Sequence, residues 1–159
     1  MRVGIGYDIH RFEAGQPLML GGVAFPGETG LGGHSDADVL LHAVIDALLG
    51  AAGLGDIGQH FPPNDSAYAG ASSLDLLSRT REMVGKAGFS VESLDATVIA
   101  EKPRLAAHAG TMRERIAAAL DIAATRLNVK ATTNEGLGAL GLGEGIAAMA
   151  VALLREVGE

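Results

Sequence analysis

Apolar side chains alternate through Val3, Ile5, Tyr7 and Ile9, and this period of two predicts a β-strand over residues 2–12. Residues 16–25 read as a second strand, broken at Gly21-Gly22 and stopped at Pro26-Gly27. A Gly-rich loop follows over 26–34. The period then changes. Val39, Leu40, Ala43, Val44, Ala47 and Leu48 recur at helical spacing and predict a helix from residue 36 to about 52. Ser35 is its expected N-cap, with Asp38 three residues on as an acidic variant of the capping box. Residues 53–71 carry Gly, Pro, Asn and Asp throughout and read as a long surface loop, the kind that is usually functional or mobile.

Ser72 or Ser73 is expected to cap a second helix that runs to about Lys86 and stops at Gly88. Residues 89–100 alternate as a strand, which Pro103 breaks. A third helical stretch covers 110–124, and a short strand covers 127–132. In the tail, residues 145–157, two signals compete. Its alanines favour helix, whereas Ile146, Ala148, Ala150, Ala152 and Leu154 would line one face of a strand. Spacing alone does not choose between them.

The 159 residues fit one domain, expected over 1–159, with no internal repeat or low-complexity linker. A chain of that size buries roughly 70% of its unfolded surface and can build its own core. The absence of Cys excludes disulfides and thiolate metal sites, so any metal must be held by His, Asp or Glu. A net charge of −7, with two Tyr, four Phe and no Trp, argues against a nucleic-acid partner. No apolar run is long enough to span a bilayer. The chain opens directly on its first strand, without a signal-peptide or transit-peptide pattern, and a cytoplasmic location is the expectation.

Asp8 and His10 lie two apart on the first strand and so face the same way. His42, on the first helix, can complete an Asp/His/His set suited to zinc with one position open. Asp38 and Asp46 flank His42 at i−4 and i+4, and Asp46 is positioned to orient the imidazole from outside. The alternative is a surface Asp–His pair and an unrelated helix histidine. His34 and Ser35, just before the helix, stand where free N–H groups favour a phosphate, or else form a plain cap. Thr132, Thr133 and Glu135 follow the strand at 127–132; hydroxyls bind phosphate oxygens and a carboxylate beside them can hold Mg²⁺, though a strand-end turn has the same composition. The G-x-G-x-x-G at 136–141 is discounted as a dinucleotide fingerprint and read as a flexible turn, because only 18 residues follow it. His60 and His108 have no partner at a telling spacing.

Several of these segments occur together in one family. Gly4-Ile5-Gly6-Tyr7-Asp8-Ile9-His10, Gly33-His34-Ser35-Asp36-Ala37-Asp38-Val39, His42-Ala43 with Asp46-Ala47-Leu48-Leu49-Gly50, Gly53-Leu54-Gly55-Asp56-Ile57-Gly58, Asn128 to Glu135 and Gly143-Glu144-Gly145-Ile146-Ala147 resemble the 2-C-methyl-D-erythritol 2,4-cyclodiphosphate synthases over nearly the whole chain. The resemblance implies an α+β two-layer sandwich: a four-stranded mixed sheet with helices packed on one side, the tail a strand. It implies a homotrimer with active sites at the subunit interfaces. The implied reaction is intramolecular attack of a 2-phosphate on the β-phosphorus of a CDP-linked substrate, with CMP as the leaving group.

The resemblance also assigns residues. Asp8, His10 and His42 would hold Zn²⁺ or another divalent transition metal. Glu135 would help hold Mg²⁺ or Mn²⁺ between substrate phosphates. His34 and Thr133 would stabilise the transition state, and Ser35 would bind phosphate. Asp56, Ile57 and Gly58 would take the erythritol hydroxyls, with Phe61, Pro62, Pro63, Asn64 and Asp65 closing over that end. Ala100, Glu101, Lys102, Pro103, Arg104, Leu105 and Ala106, with Thr132, Thr133, Asn134 and Glu135, would take the cytidine and its phosphates. Arg104 stands where relatives usually carry Lys. Ala139 and Leu142 stand where many relatives have an aromatic residue and Arg lining a cavity on the trimer axis, so weak or absent isoprenoid diphosphate binding is expected there. Two other functions remain compatible with the same residues: a zinc hydrolase of phosphoesters, and a non-catalytic trimeric nucleotide-binding module.

Overall fold

The computed structural model describes residues 1–158; Glu159, the last residue of the expected domain, lies outside the described residues. The alternating segment forms β1, Arg2–Glu13. Two short strands follow, β2 (Leu18–Leu20) and β3 (Val23–Phe25), then β4 (Gly30–Leu31). The stretch expected as one broken strand is therefore a hairpin of its own, apart from the main sheet. Gly21 and Gly22 turn it, with φ of +58° and +74°, a left-handed pair that glycine adopts without strain.

Helix α1 spans Val39–Ala52. It begins later than expected, and Asp38 caps it rather than Ser35. Ser35 and Ala37 both have positive φ, which keeps the chain out of the helix until Asp38. The Asp38 carboxylate is fully buried and accepts from Leu41 N at 3.1 Å, Gly21 N at 2.9 Å and Gly22 N at 2.7 Å. It thus starts the helix and anchors the hairpin turn together. Burial pushes this carboxyl upward against those three N–H groups.

The expected long loop contains a one-turn helix, α2 (Ile57–His60), and a 3₁₀ turn at Ser66–Tyr68, capped by Asp56 and Asp65. Helix α3 is Ser73–Lys86 and begins after Ser72, whose side chain makes no cap bond. Strand β5 is Phe89–Ile99, helix α4 is Ala109–Leu120 and strand β6 is Leu127–Thr132. Helix α4 ends earlier than the expected 124 because Asp121 turns left-handed, with φ of +55°. The glycine-rich stretch after β6 holds a single helical turn, α5 (Gly138–Gly141), and the tail is strand β7, Gly145–Glu156.

The main sheet has the order β4-β1-β7-β5-β6, five strands where four were expected. The fifth arises because Phe12 and Glu13 run past the start of β7, and β4 pairs with them at Leu31 and Gly30. The sheet is mixed: β5 and β6 are parallel, while β7 runs antiparallel to both β1 and β5. The tail is a strand despite its alanines because it is the central strand, hydrogen-bonded on both edges, and tertiary context overrides propensity. Ile146, Ala148, Ala150, Ala152 and Leu154 are buried, as one face of a strand requires.

Helix α1 lies very close on β1. A Cβ on Gly4 would fall 2.0 Å from Ala47 O, and one on Gly6 would fall 1.8 Å from Ala43 O. Only glycine permits that approach. Asp8 and His10 continue the same row and so lie under the N-terminal half of α1. The opposite face of the sheet exposes Val3, Ile5, Tyr7, Ile9, Met149 and Val151. Ile5 pairs with Val151 and Tyr7 with Met149, so this is one apolar patch. No helix among the described residues is long and apolar enough to cross a membrane.

Candidate active site

Asp8, His10 and His42 converge. Asp8 Oδ2 lies 2.8 Å from His10 Nε2 and 3.0 Å from His42 Nδ1, and the two ring nitrogens are 3.2 Å apart. Together they form a group able to hold a divalent metal ion. The hydrogen bonds behind the rings identify the tautomers. His10 Nδ1 lies 2.8 Å from the Gly32 carbonyl, which only accepts, so Nδ1 carries the proton. His42 Nε2 faces Ser35 Oγ at 3.0 Å and Ser73 Oγ at 3.1 Å. Ser35 Oγ donates to the His34 carbonyl at 2.6 Å, and Ser73 Oγ donates to Asp36 Oδ1. Both hydroxyls therefore accept from His42 Nε2.

In their neutral forms both imidazoles thus turn a lone pair, at His10 Nε2 and His42 Nδ1, toward the charged Asp8 oxygen. Three lone pairs meeting within hydrogen-bond distance repel unless a proton or a cation lies among them. This donor set fits a metal with a fourth position open. Burial acts to raise the Asp8 pKa, but the two imidazoles, which donate to its carboxylate and attract it when protonated, outweigh that and hold it at about 2. For His10, burial works against the charged form, while the Asp8 hydrogen bond and charge more than offset it, so its pKa is raised.

Asp46 does not orient His42. Its Oδ1 accepts from Ile57 N at 2.8 Å, tying α1 to the start of α2. Burial raises its pKa, with the Ile57 N–H opposing. The groups that do hold the two imidazoles are Gly32, Ser35 and Ser73. Gly32 and Ser73 went unnoticed in the sequence as partners, because Ser73 has only the local look of a helix start and stands 31 residues from His42.

A cavity of about 220 Å³ opens beside the triad. His34, Ser35, Ile57, Gly58, Phe61 and Pro63 line it with the three ligand candidates, joined by Tyr68 and Leu76. Phe61 and Tyr68 meet edge to face at 5.4 Å and wall the apolar end. Asp56 caps α2 through Gln59 N at 3.0 Å and Gln59 Nε2 at 2.9 Å, and these bonds lower its pKa. His60 bonds the Leu54 carbonyl at 2.7 Å, and His108 packs at a tilt against Phe25, so neither joins the triad.

The remaining site residues cluster elsewhere. Glu101 Oε1 accepts from Asn134 N at 2.7 Å, joining the loops after β5 and β6. Ala100 N donates to the Thr132 carbonyl at 3.0 Å. Glu135 N donates to Thr133 Oγ1 at 3.2 Å, and the left-handed Glu135 backbone, φ +51°, turns this hydroxyl and carboxylate toward one another. Glu101, Lys102 and Pro103 line a cleft with Leu142, and Leu105 and Ala106 line another with Lys130 and Ala131. None of residues 100–106 or 132–135 lines the cavity beside the triad. Leu142 is 74% exposed, and Ala139 lines a shallow cleft with Ile9 and Arg11.

Residues 1–155 match the YgbB family. The 2-C-methyl-D-erythritol 2,4-cyclodiphosphate synthase of Desulfosudis oleivorans is 60% identical over 156 residues, covering 98% of this chain and 93% of that protein. Among solved structures, the bifunctional IspDF from Campylobacter jejuni superposes with a TM-score of 0.94 at 42% identity. That match covers 98% of this chain but 42% of the bifunctional protein. IspF from Plasmodium falciparum, solved as a CDP complex, superposes with a TM-score of 0.86 at 32% identity, covering 99% of this chain and 97% of that one.

Proposed function

This chain belongs to the YgbB family, and from that membership we propose that it catalyses the reaction its relatives are named for. It converts 4-diphosphocytidyl-2-C-methyl-D-erythritol 2-phosphate to 2-C-methyl-D-erythritol 2,4-cyclodiphosphate and CMP, in non-mevalonate isoprenoid biosynthesis. A 2-phosphate oxygen bonds to the β-phosphorus, and the bond from that phosphorus to the CMP oxygen breaks. The enzyme is then a phosphorus–oxygen lyase. The observation that carries this reading is the meeting of the Asp8, His10 and His42 lone pairs beside an open pocket.

Asp8, His10 and His42 hold Zn²⁺ or a similar ion, and Glu135 with the substrate phosphates holds Mg²⁺ or Mn²⁺; such ions, when bound, supply Lewis-acid and template chemistry to a diphosphate. His34 and Thr133 stabilise the charge that builds on the phosphoryl oxygens, and Ser35 binds phosphate. Asp56, whose carboxylate is exposed, accepts hydrogen bonds from the erythritol hydroxyls, with the backbone of Ile57 and Gly58 beside it. Phe61, Pro62, Pro63, Asn64 and Asp65 shield that end from water. Residues 100–106, with Thr132, Thr133, Asn134 and Glu135, bind the cytidine and its phosphates. Positioning supplies most of the rate, because both reacting phosphates are carried on one substrate.

We also propose a homotrimer whose sites lie between subunits, with residues 1–159 as a single synthase domain working in the cytoplasm. Two observations support the assembly. The cavity beside the triad holds none of residues 132–135 of the same subunit, and an apolar sheet face is left uncovered. A neighbour that covers the face and adds its own 132–135 loop completes the site.

The test is product analysis. Cyclic diphosphate and CMP in equal amounts, lost on chelation and in Asp8→Ala, are the expected result. Linear phosphate products, or full activity in Asp8→Ala, would overturn the reading.

A further inference from the structure

We infer that Asp36 and Ser73 are positioning residues that select the metal-binding tautomer of His42. The inference rests on the metal reading above and extends it to two residues outside the ligand set. A histidine can bind a metal through Nδ1 only when its proton stays on Nε2. What keeps it there is an acceptor facing Nε2. A serine hydroxyl is ambivalent: it can accept from Nε2 or donate to it. The choice depends on where the hydroxyl proton goes.

For Ser73 that choice is made by Asp36. Ser73 is fully buried at the first turn of α3. Its Oγ donates to Asp36 Oδ1, and its backbone N donates to Asp36 Oδ2 at 3.0 Å. Asp38 N also donates to Asp36 Oδ1, at 3.2 Å. The carboxylate thus takes three hydrogen bonds, and each of them runs toward its oxygens. Ser73 Oγ is left with lone pairs for His42 Nε2, at 3.1 Å. The order of donation runs from His42 Nε2 to Ser73 to Asp36, which leaves Nδ1 bare toward Asp8. Ser35 adds a second acceptor at Nε2, but it lies in the loop before α1, whereas Ser73 is anchored in a helix.

The relay makes Asp36→Ala informative. Alanine takes away the acceptor of the Ser73 hydroxyl proton. That proton is then free to point at His42 Nε2, and the imidazole proton moves to Nδ1, into the metal position. Ser73→Ala removes the acceptor without reversing it. Neither residue is a ligand, so both variants keep Asp8, His10 and His42.

The experiment uses the full chain, prepared metal-free, as wild type, Asp36→Ala and Ser73→Ala. Nitrogen-15 spectra of the His42 ring report which nitrogen is protonated, Zn²⁺ and Co²⁺ titrations against a chelator report affinity, and melting curves report folding. The expected result is an Nε2-protonated His42 in wild type, a shift of the proton to Nδ1 in Asp36→Ala and a mixture in Ser73→Ala. Zn²⁺ affinity should fall about 10–100-fold in both variants, the usual loss for a group behind a metal ligand. A folded variant with an unchanged tautomer, or with wild-type Zn²⁺ affinity, overturns the relay while leaving the metal site standing. A wild type that binds neither ion overturns the metal reading and the relay with it.

Discussion

Gly6 on β1 sits so close beneath Ala43 on α1 that a Cβ there would fall 1.8 Å from the Ala43 carbonyl oxygen. The next residue of the same row is Asp8, and the residue before Ala43 is His42. The distance between strand and helix therefore sets the distance between carboxylate and imidazole, 3.0 Å. Gly6→Ala must lift α1 away from the sheet. Overpacking of this kind costs about 1–3 kcal/mol, and the lift should separate His42 from Asp8. Urea unfolding and a Zn²⁺ titration together check this: both stability and affinity should fall, although Gly6 touches no ligand.

Asp38 holds two structures with one carboxylate. Asp38→Ala loses an N-cap, typically about 1 kcal/mol. It also leaves the Gly21 and Gly22 N–H groups buried without partners, at about 1–3 kcal/mol each. A loss of at least 3 kcal/mol or so in thermal or urea unfolding is expected. A loss below 1 kcal/mol would mean that the hairpin is not tied to the helix as described.

The metal-free triad and the metal-bound triad should respond to pH in opposite ways. His10 has a raised pKa, so its contribution to metal-free stability is complete below the ordinary 6.5 and fades as pH rises through the higher folded value. Asp8, lowered to about 2, contributes above its ordinary 3.8 and loses that contribution as pH falls toward 2. Metal-free stability from this pair is thus greatest between 3.8 and 6.5. Metal binding needs His10 without its Nε2 proton, so affinity should begin to weaken above pH 6.5 as pH falls, well before Asp8 titrates. Unfolding curves with and without Zn²⁺ across this range measure both trends.

Leu142 and Ala139 offer no cation and no aromatic ring. Geranyl diphosphate should bind weakly or not at all on the proposed trimer axis, because burying a diphosphate without a fixed cation is costly. Calorimetry on the wild type checks this directly. Tight binding would point to another cation, and Arg11, in the cleft beside Ala139, is the residue to replace next.

The residues of β1 determined much of this protein in advance. Their alternation marks both faces of the strand, and the switch from Gly4 and Gly6 to Asp8 and His10 along one face already marks where packing gives way to chemistry. The helical stripe carrying His42 offered a third ligand candidate, and the composition without cysteine limited any metal site to His, Asp and Glu. These signals are local, because periodicity encodes which way side chains of a single element point. Contacts between elements are not encoded that way. That Asp46 would reach Ile57 and not His42, that Asp38 would cap α1 and also hold the Gly21-Gly22 turn, and that Asp36 and Ser73 would stand behind the imidazole depended on how α1, α2 and α3 pack. The tail shows the same division: its alanines suit either a helix or a strand, and only hydrogen bonding on both edges, to β1 and β5, made it the centre of the sheet.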